Sequence, residues 1–138
     1  MQRSEFLNAT VMSTVAWMAS ASQSDAKDEL KPFYLPPLPP LEPGPAGTNG
    51  RTLVRSAQTN MQFACIETVL APKKMGPPPH MHQALDELCY VLEGSASILV
   101  GDTVYEVQAG GFHLRPRGIV HTFWNATDKP VRFIDMFF

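Results

Sequence analysis

Charge is scarce in this chain, and an excess of either sign is absent. Eleven lysines and arginines stand against 13 aspartates and glutamates in 138 residues, for a net charge of -2 and a pI near 6.0. Nucleic-acid binding needs cations clustered against phosphates. The cations here are scattered, so no nucleic-acid partner is expected. Cysteine is limited to Cys65 and Cys89, too few for a disulfide scaffold, and the sequence leaves open whether these two pair. Long apolar runs are missing too. Residues 6–24 carry no charge, but serine and threonine dilute them too heavily for a stable membrane span. From residue 48 onward no stretch of useful length keeps a helical period, and no internal repeat is evident. Only four histidines occur, which gives their placement weight.

What is present divides the chain into three segments. Residues 48–138 hold short β-rich runs at 51–55, 61–70, 87–92, 95–100, 103–107, 112–115 and 131–137, separated by Gly, Pro, Asn and Asp. This spacing predicts an all-β antiparallel sandwich or barrel, with a tight hairpin at Gly101-Asp102 and a turn at Gly94. A 44% hydrophobic content suffices for one core. Residues 25–47 form a proline-rich linker or arm: seven of the 13 prolines fall within 32–47, which forbids helix and favours polyproline II. Phe33, Tyr34, Leu35, Leu38 and Leu41 give it apolar anchors, suited to the barrel or to a second subunit. Residues 1–24 read in two ways. The uncharged stretch closing on Ala19-Ser20-Ala21 resembles an export signal, while Leu7, Val11, Val15 and Met18 recur at helical spacing, as in a docking helix. Location is accordingly left between exported, or periplasmic, and cytoplasmic.

The chemistry concentrates in two stretches. The first reads Gly76-Pro77-Pro78-Pro79-His80-Met81-His82, then Glu87 and Gly94. Alternation along an extended strand sends His80 and His82 to one face and Met81 to the other. Glu87 lies an odd number of residues beyond His82, so rejoining that face requires a break within 83–86. In the second stretch, Pro116 and Gly118 mark a turn after Gly110, delivering His121 to a new strand, 122–124, that Asn125 ends. Three imidazoles and one carboxylate are thereby candidates for a single site.

Both stretches resemble the two motifs of the cupin superfamily, separated by the fifteen residues 95–109 of a compact single-domain member. The resemblance covers roughly residues 48–138 and implies a jelly-roll β-barrel. It makes His80, His82, Glu87 and His121 the metal ligands, and Gly94, Gly110, Pro116, Gly118 and Asn125 the turn framework. Asp86 also fits a looser spacing, but Glu87 keeps the expected six residues before Gly94. Two positions depart from the pattern: Gly76 stands four residues before the first histidine rather than six, and Gly111 replaces a common acid. Small members of the family commonly form homodimers, so a homodimer is expected.

Such a ligand set would hold one divalent transition metal ion, Mn, Fe, Co, Ni, Cu or Zn, with positions left for water, dioxygen or a bidentate substrate. Glu87 is the candidate catalytic base. Strand parity places Cys89, Val91 and Phe123 among the residues lining a substrate pocket. His113 and Arg115 share a face, giving either an acid or base with an anion clamp, or a solvent-facing pair. The expected function is that of a metal-dependent enzyme acting on a small oxygenated substrate: a dioxygenase like the quercetin-cleaving branch, an isomerase or a decarboxylase. The alternative is a non-catalytic module that binds a metal or small molecule.

Overall fold

A computed structural model describes residues 29–138. The export-or-docking expectation for residues 1–24 lies outside them. Eight strands run in chain order: β1 (Thr48–Val54), β2 (Ala64–Leu70), β3 (Glu87–Glu93), β4 (Ser95–Val100), β5 (Thr103–Gln108), β6 (Phe112–Arg115), β7 (His121–Trp124) and β8 (Val131–Phe137). They form a five-stranded sheet, β1-β2-β8-β3-β6, and a three-stranded sheet, β5-β4-β7. Every strand pairing is antiparallel. Among the described residues no helix is long and apolar enough to cross a membrane.

The turns follow from local chemistry. Gly94 joins β3 to β4 at φ +78, and a Cβ there would lie 2.6 Å from the Pro130 carbonyl oxygen. Only glycine meets both demands. The run expected over 61–70 becomes a strand only from Ala64, because a 3-10 turn at Ser56–Thr59 precedes it and Asn60 and Met61 take positive φ. The Thr59 hydroxyl fixes that turn, donating to the Phe63 carbonyl at 2.6 Å and accepting the Phe63 N–H at 3.1 Å.

Between the sheets lies one core: Leu70, Cys89, Val91, Ala96, Ile98, Val107, Phe123, Val131 and Phe133. Each such burial stabilises by about 1–3 kcal/mol. Phe123 meets Phe133 edge to face at 5.0 Å, tying the two sheets together.

On β2, alternate residues Cys65, Glu67 and Val69 are buried although their parity is opposite to that of core residue Leu70. The proline-rich arm is tied down on this side. Arg51 donates to the Pro39 carbonyl at 2.7 Å and to Glu67 at 2.7 Å, Arg132 reaches Glu67 at 2.9 Å, and Asn49 donates to the Glu42 carbonyl at 3.0 Å. Burial pushes the Glu67 carboxyl up, but hydrogen bonds from Arg132 and Arg51 outweigh it and hold the group below its ordinary value. The arm's carbonyls make these contacts, while Phe33, Tyr34, Leu35 and Leu38 remain exposed. Both cysteines are free. Strand β8 separates β2 from β3, placing them about 9.5 Å apart at some 4.8 Å per strand, beyond the reach of a disulfide.

Candidate metal centre

The segment between β2 and β3 is laced to β7, and this brings the histidines together. Gly76 donates to the Phe123 carbonyl at 2.9 Å, the Thr122 hydroxyl to the Pro77 carbonyl at 2.6 Å, and His80 and His121 exchange backbone hydrogen bonds of 3.0 and 2.8 Å. The prolines supply carbonyl acceptors while holding the chain extended. A Cβ at Gly76 would lie 2.4 Å from the Phe123 ring, so a larger residue there would displace that ring. After His82 the chain bends at Gln83 and Ala84 and enters β3 at Glu87, which is the break that strand parity requires.

Two further contacts lock the loops. Gly118 donates to the His82 carbonyl at 2.8 Å. Asp86 accepts from the Arg117 backbone N–H at 2.8 Å and from its Nε and Nη2 at 3.0 and 2.6 Å. Those bonds hold the Asp86 carboxyl down at about 2 and occupy both oxygens, so it is Glu87 that faces the histidines.

One ligand atom each from His80, His82, Glu87 and His121 lies within 4.8 Å of the others, and these four residues could hold a metal ion. The three imidazole centroids are 4.6 to 5.4 Å apart. Their tautomers follow from hydrogen bonding. His80 Nδ1 sits 2.9 Å from the Pro78 carbonyl and His121 Nδ1 sits 3.0 Å from the Ile119 carbonyl. A carbonyl only accepts, so both Nδ1 atoms carry the proton and both Nε2 lone pairs are free to coordinate. His121 Nε2 is buried without a hydrogen-bond partner among the described residues. Burial lowers the His121 pKa, which favours the neutral ring a metal requires. Glu87 Oε1 lies 2.6 Å from His82 Nε2 and 3.5 Å from His121 Nε2. Bonds of about 2.1 Å to a common ion set neighbouring donors about 3 Å apart, so the donor set fits a transition metal.

The second oxygen of Glu87 is spoken for. Arg115, 1% exposed, donates Nη1 to Glu87 Oε2 at 2.9 Å and Nη2 to Asp135 Oδ1. Burial pushes the Asp135 carboxyl up to about 6 against the opposing pull of Arg115. Beside the cluster opens a cavity of about 280 Å³, lined by Ile66, Thr68, Pro77, His80, His82, Glu87, Phe123, Asp135 and Phe137.

Of the expected pocket residues, Phe123 stands in this wall. Cys89 and Val91 share the face of Glu87, as parity required, but at 3.3 Å per residue they lie about 7 and 13 Å further along the strand. They are core residues instead. Arg115 is not a free anion clamp, since both of its Nη atoms serve buried carboxylates. His113 faces inward, paired with Cys89 across β3 and β6, and its ring lies 4.4 Å from that of Tyr105, away from the ligand cavity. Burial, then the nearby Arg115 charge, lowers its pKa. The reading from sequence missed Asp135. Its signal was available: on β8 it continues the inward parity of Val131 and Phe133, where an unpartnered acid would be costly.

The chain's likenesses bear on its family and fold. The family model for the Cupin domain matches residues 66–137. A germin-like protein, 9-2, of Oryza sativa subsp. japonica is 27% identical over 101 residues, which are 70% of this chain and 47% of that one, so the chain spans about half the length of that curated relative. Among solved structures, the polyketide cyclase RemF from Streptomyces resistomycificus is similar at 31% identity and a TM-score of 0.58, over 70% of this chain and 68% of that one. A predicted oxalate decarboxylase from Thermotoga maritima aligns with a TM-score of 0.62 over 65% of this chain and 78% of that one; at 16% identity it shows the fold alone. With the Cupin domain matched over more than half its length, the chain belongs to the cupin family.

Proposed function

We propose that this cupin is a metal-dependent enzyme acting on a small oxygenated substrate. The observation that carries the reading is the convergence of three imidazoles and one carboxylate beside a cavity whose remaining wall is mostly apolar. His80, His82, Glu87 and His121 would hold one divalent ion, and that ion would supply Lewis acidity or redox capacity to a bound oxygenated ligand. Ile66, Pro77, Phe123 and Phe137 pack the carbon skeleton and exclude water. Arg115 holds Glu87 Oε2, so Oε1 is the oxygen that would bind the ion, and the same atom would accept a proton from the substrate once Glu87 leaves the ion. The likeness to a polyketide cyclase at 31% identity supports an oxygenated carbon skeleton as the ligand class. Dioxygenase, isomerase and decarboxylase chemistry all use these parts. The exposed Phe33, Tyr34, Leu35 and Leu38 of the arm support a homodimer contact in the same reading.

The test is turnover of metal-loaded protein with flavonols, diketones and catechols, followed with an oxygen electrode and repeated without oxygen. Metal-dependent oxygen uptake supports a dioxygenase, and anaerobic conversion supports an isomerase or decarboxylase. Ligand binding with no conversion across the panel would favour a non-catalytic binding module.

A further inference from the structure

The charges around the cavity nearly cancel, and one residue outside the ligand cluster decides the balance. Asp135 stands in the cavity wall beside Glu87 and is 5% exposed. It takes no part in the four-residue cluster. Its partners are Arg115 Nη2 and the Cys89 thiol, which faces it across β3 and β8. Arg115, the cation behind this wall, is thus shared between two carboxylates. The other wall residues, Ile66, Thr68, Pro77, Phe123 and Phe137, carry no charge.

We propose that Asp135 is a specificity-determining residue: by cancelling Arg115 it restricts the cavity to oxygen ligands bearing at most one negative charge, such as a deprotonated enol or phenol, and turns dicarboxylates away. This rests on the reading that the three histidines and Glu87 hold a divalent ion. A divalent ion and one guanidinium against two carboxylates leave a single positive charge. A singly charged ligand makes the site neutral, whereas a dianion leaves an uncompensated charge among apolar walls. Replacing Asp135 by asparagine keeps the shape and a hydrogen-bonding group but leaves two positive charges, which a dianion balances. A residue with a merely structural role would weaken both ligand types together. Asp135 instead sets their ratio.

Acetylacetone and malonate form a matched pair, since both present two oxygens across three carbons and differ in charge. Full-length protein loaded with nickel or zinc is titrated with each by calorimetry at pH 8, above the value of about 6 to which burial raises Asp135. Wild type should prefer acetylacetone, and Asp135→Asn should shift the ratio toward malonate by about tenfold or more, as expected for a unit charge in a partly buried wall. Should Asp135→Asn fail to fold, Asp135→Ser and the wild-type ratio carry the test. Failure of wild type to take up metal overturns both this inference and the metal reading. Normal metal uptake with a wild-type preference for malonate, or with a ratio unmoved by substitution, overturns this inference alone.

Discussion

Replacing Arg115 by methionine should destabilise the fold far more than the loss of one surface-reaching side chain. The guanidinium is 1% exposed and bonds Glu87 and Asp135, themselves 3% and 5% exposed. Methionine retains the apolar stem but loses the cation–π contact with Phe123, whose ring centroid lies 5.4 Å from the guanidinium carbon. What disappears is the cation between two buried anions. Removing one partner of a buried ion pair costs about 3–5 kcal/mol, equivalent at a urea slope of about 2 kcal/mol/M to a drop of some 2 M in the unfolding midpoint. The pH dependence has a definite sign. The Asp135 pKa is raised from 3.8 to about 6 in the folded state, so its contribution to stability is full below the unfolded value and is lost as pH rises through about 6. Without Arg115 to pull it down, the folded value rises further, so the variant's deficit should be largest at pH 8 and shrink toward pH 5. Urea unfolding in the presence of chelator at both pH values measures this. A deficit below 1 kcal/mol at pH 8, or one that grows on acidification, would refute the reasoning.

Four further outcomes are expected. His121→Ala should lose metal and activity together, because it removes a buried candidate ligand at the start of β7; metal analysis and turnover assays check this, and full activity would sink the assignment. Glu87→Gln keeps the shape but not the charge, so it should retain measurable metal at about 10- to 100-fold weaker affinity and lose turnover; the two variants should therefore differ in metal content. Asn125→Ala should cost about 2–4 kcal/mol in thermal or urea unfolding, since this buried amide donates to the Leu70, Ala71 and Lys129 carbonyls and accepts from Thr127. Deleting residues 1–47 should lower stability by about 1–2 kcal/mol, because Arg51 and Asn49 lose their partners at Pro39 and Glu42, and should shift a dimer toward monomer; unchanged melting and unchanged sedimentation would make the arm a free tether.

The fold was legible because β alternation and turn residues agree along the chain. The strands at 95–100, 112–115 and 131–137 fall where the runs of β-formers do, since each run is bounded by residues that favour turns. The break between His82 and Glu87 followed from counting parity alone. Distance along a strand did not, and so Cys89 and Val91 share the face of Glu87 yet belong to the core. The partners of a charge were equally hidden. Arg115 and Asp135 lie on strands separated only by β3, an adjacency that belongs to the sheet order and not to the sequence. Asp86 illustrates the same limit: its neighbour in sequence is a candidate ligand, but its own partner, Arg117, arrives from the other loop.

The most direct test is elemental analysis of tag-free protein, joined to melting temperatures recorded with chelator and with added nickel, manganese, iron or zinc. Because the four candidate ligands meet only in the folded chain, an ion that binds them stabilises the native state by linkage. The expected result is about one transition-metal ion per chain, a melting temperature lowered by chelation and restored by metal, and a gain that fades below about pH 6 as protons compete for the ligands. No bound transition metal, together with a melting temperature indifferent to every added ion, would contradict the assignment of His80, His82, Glu87 and His121 as a metal centre.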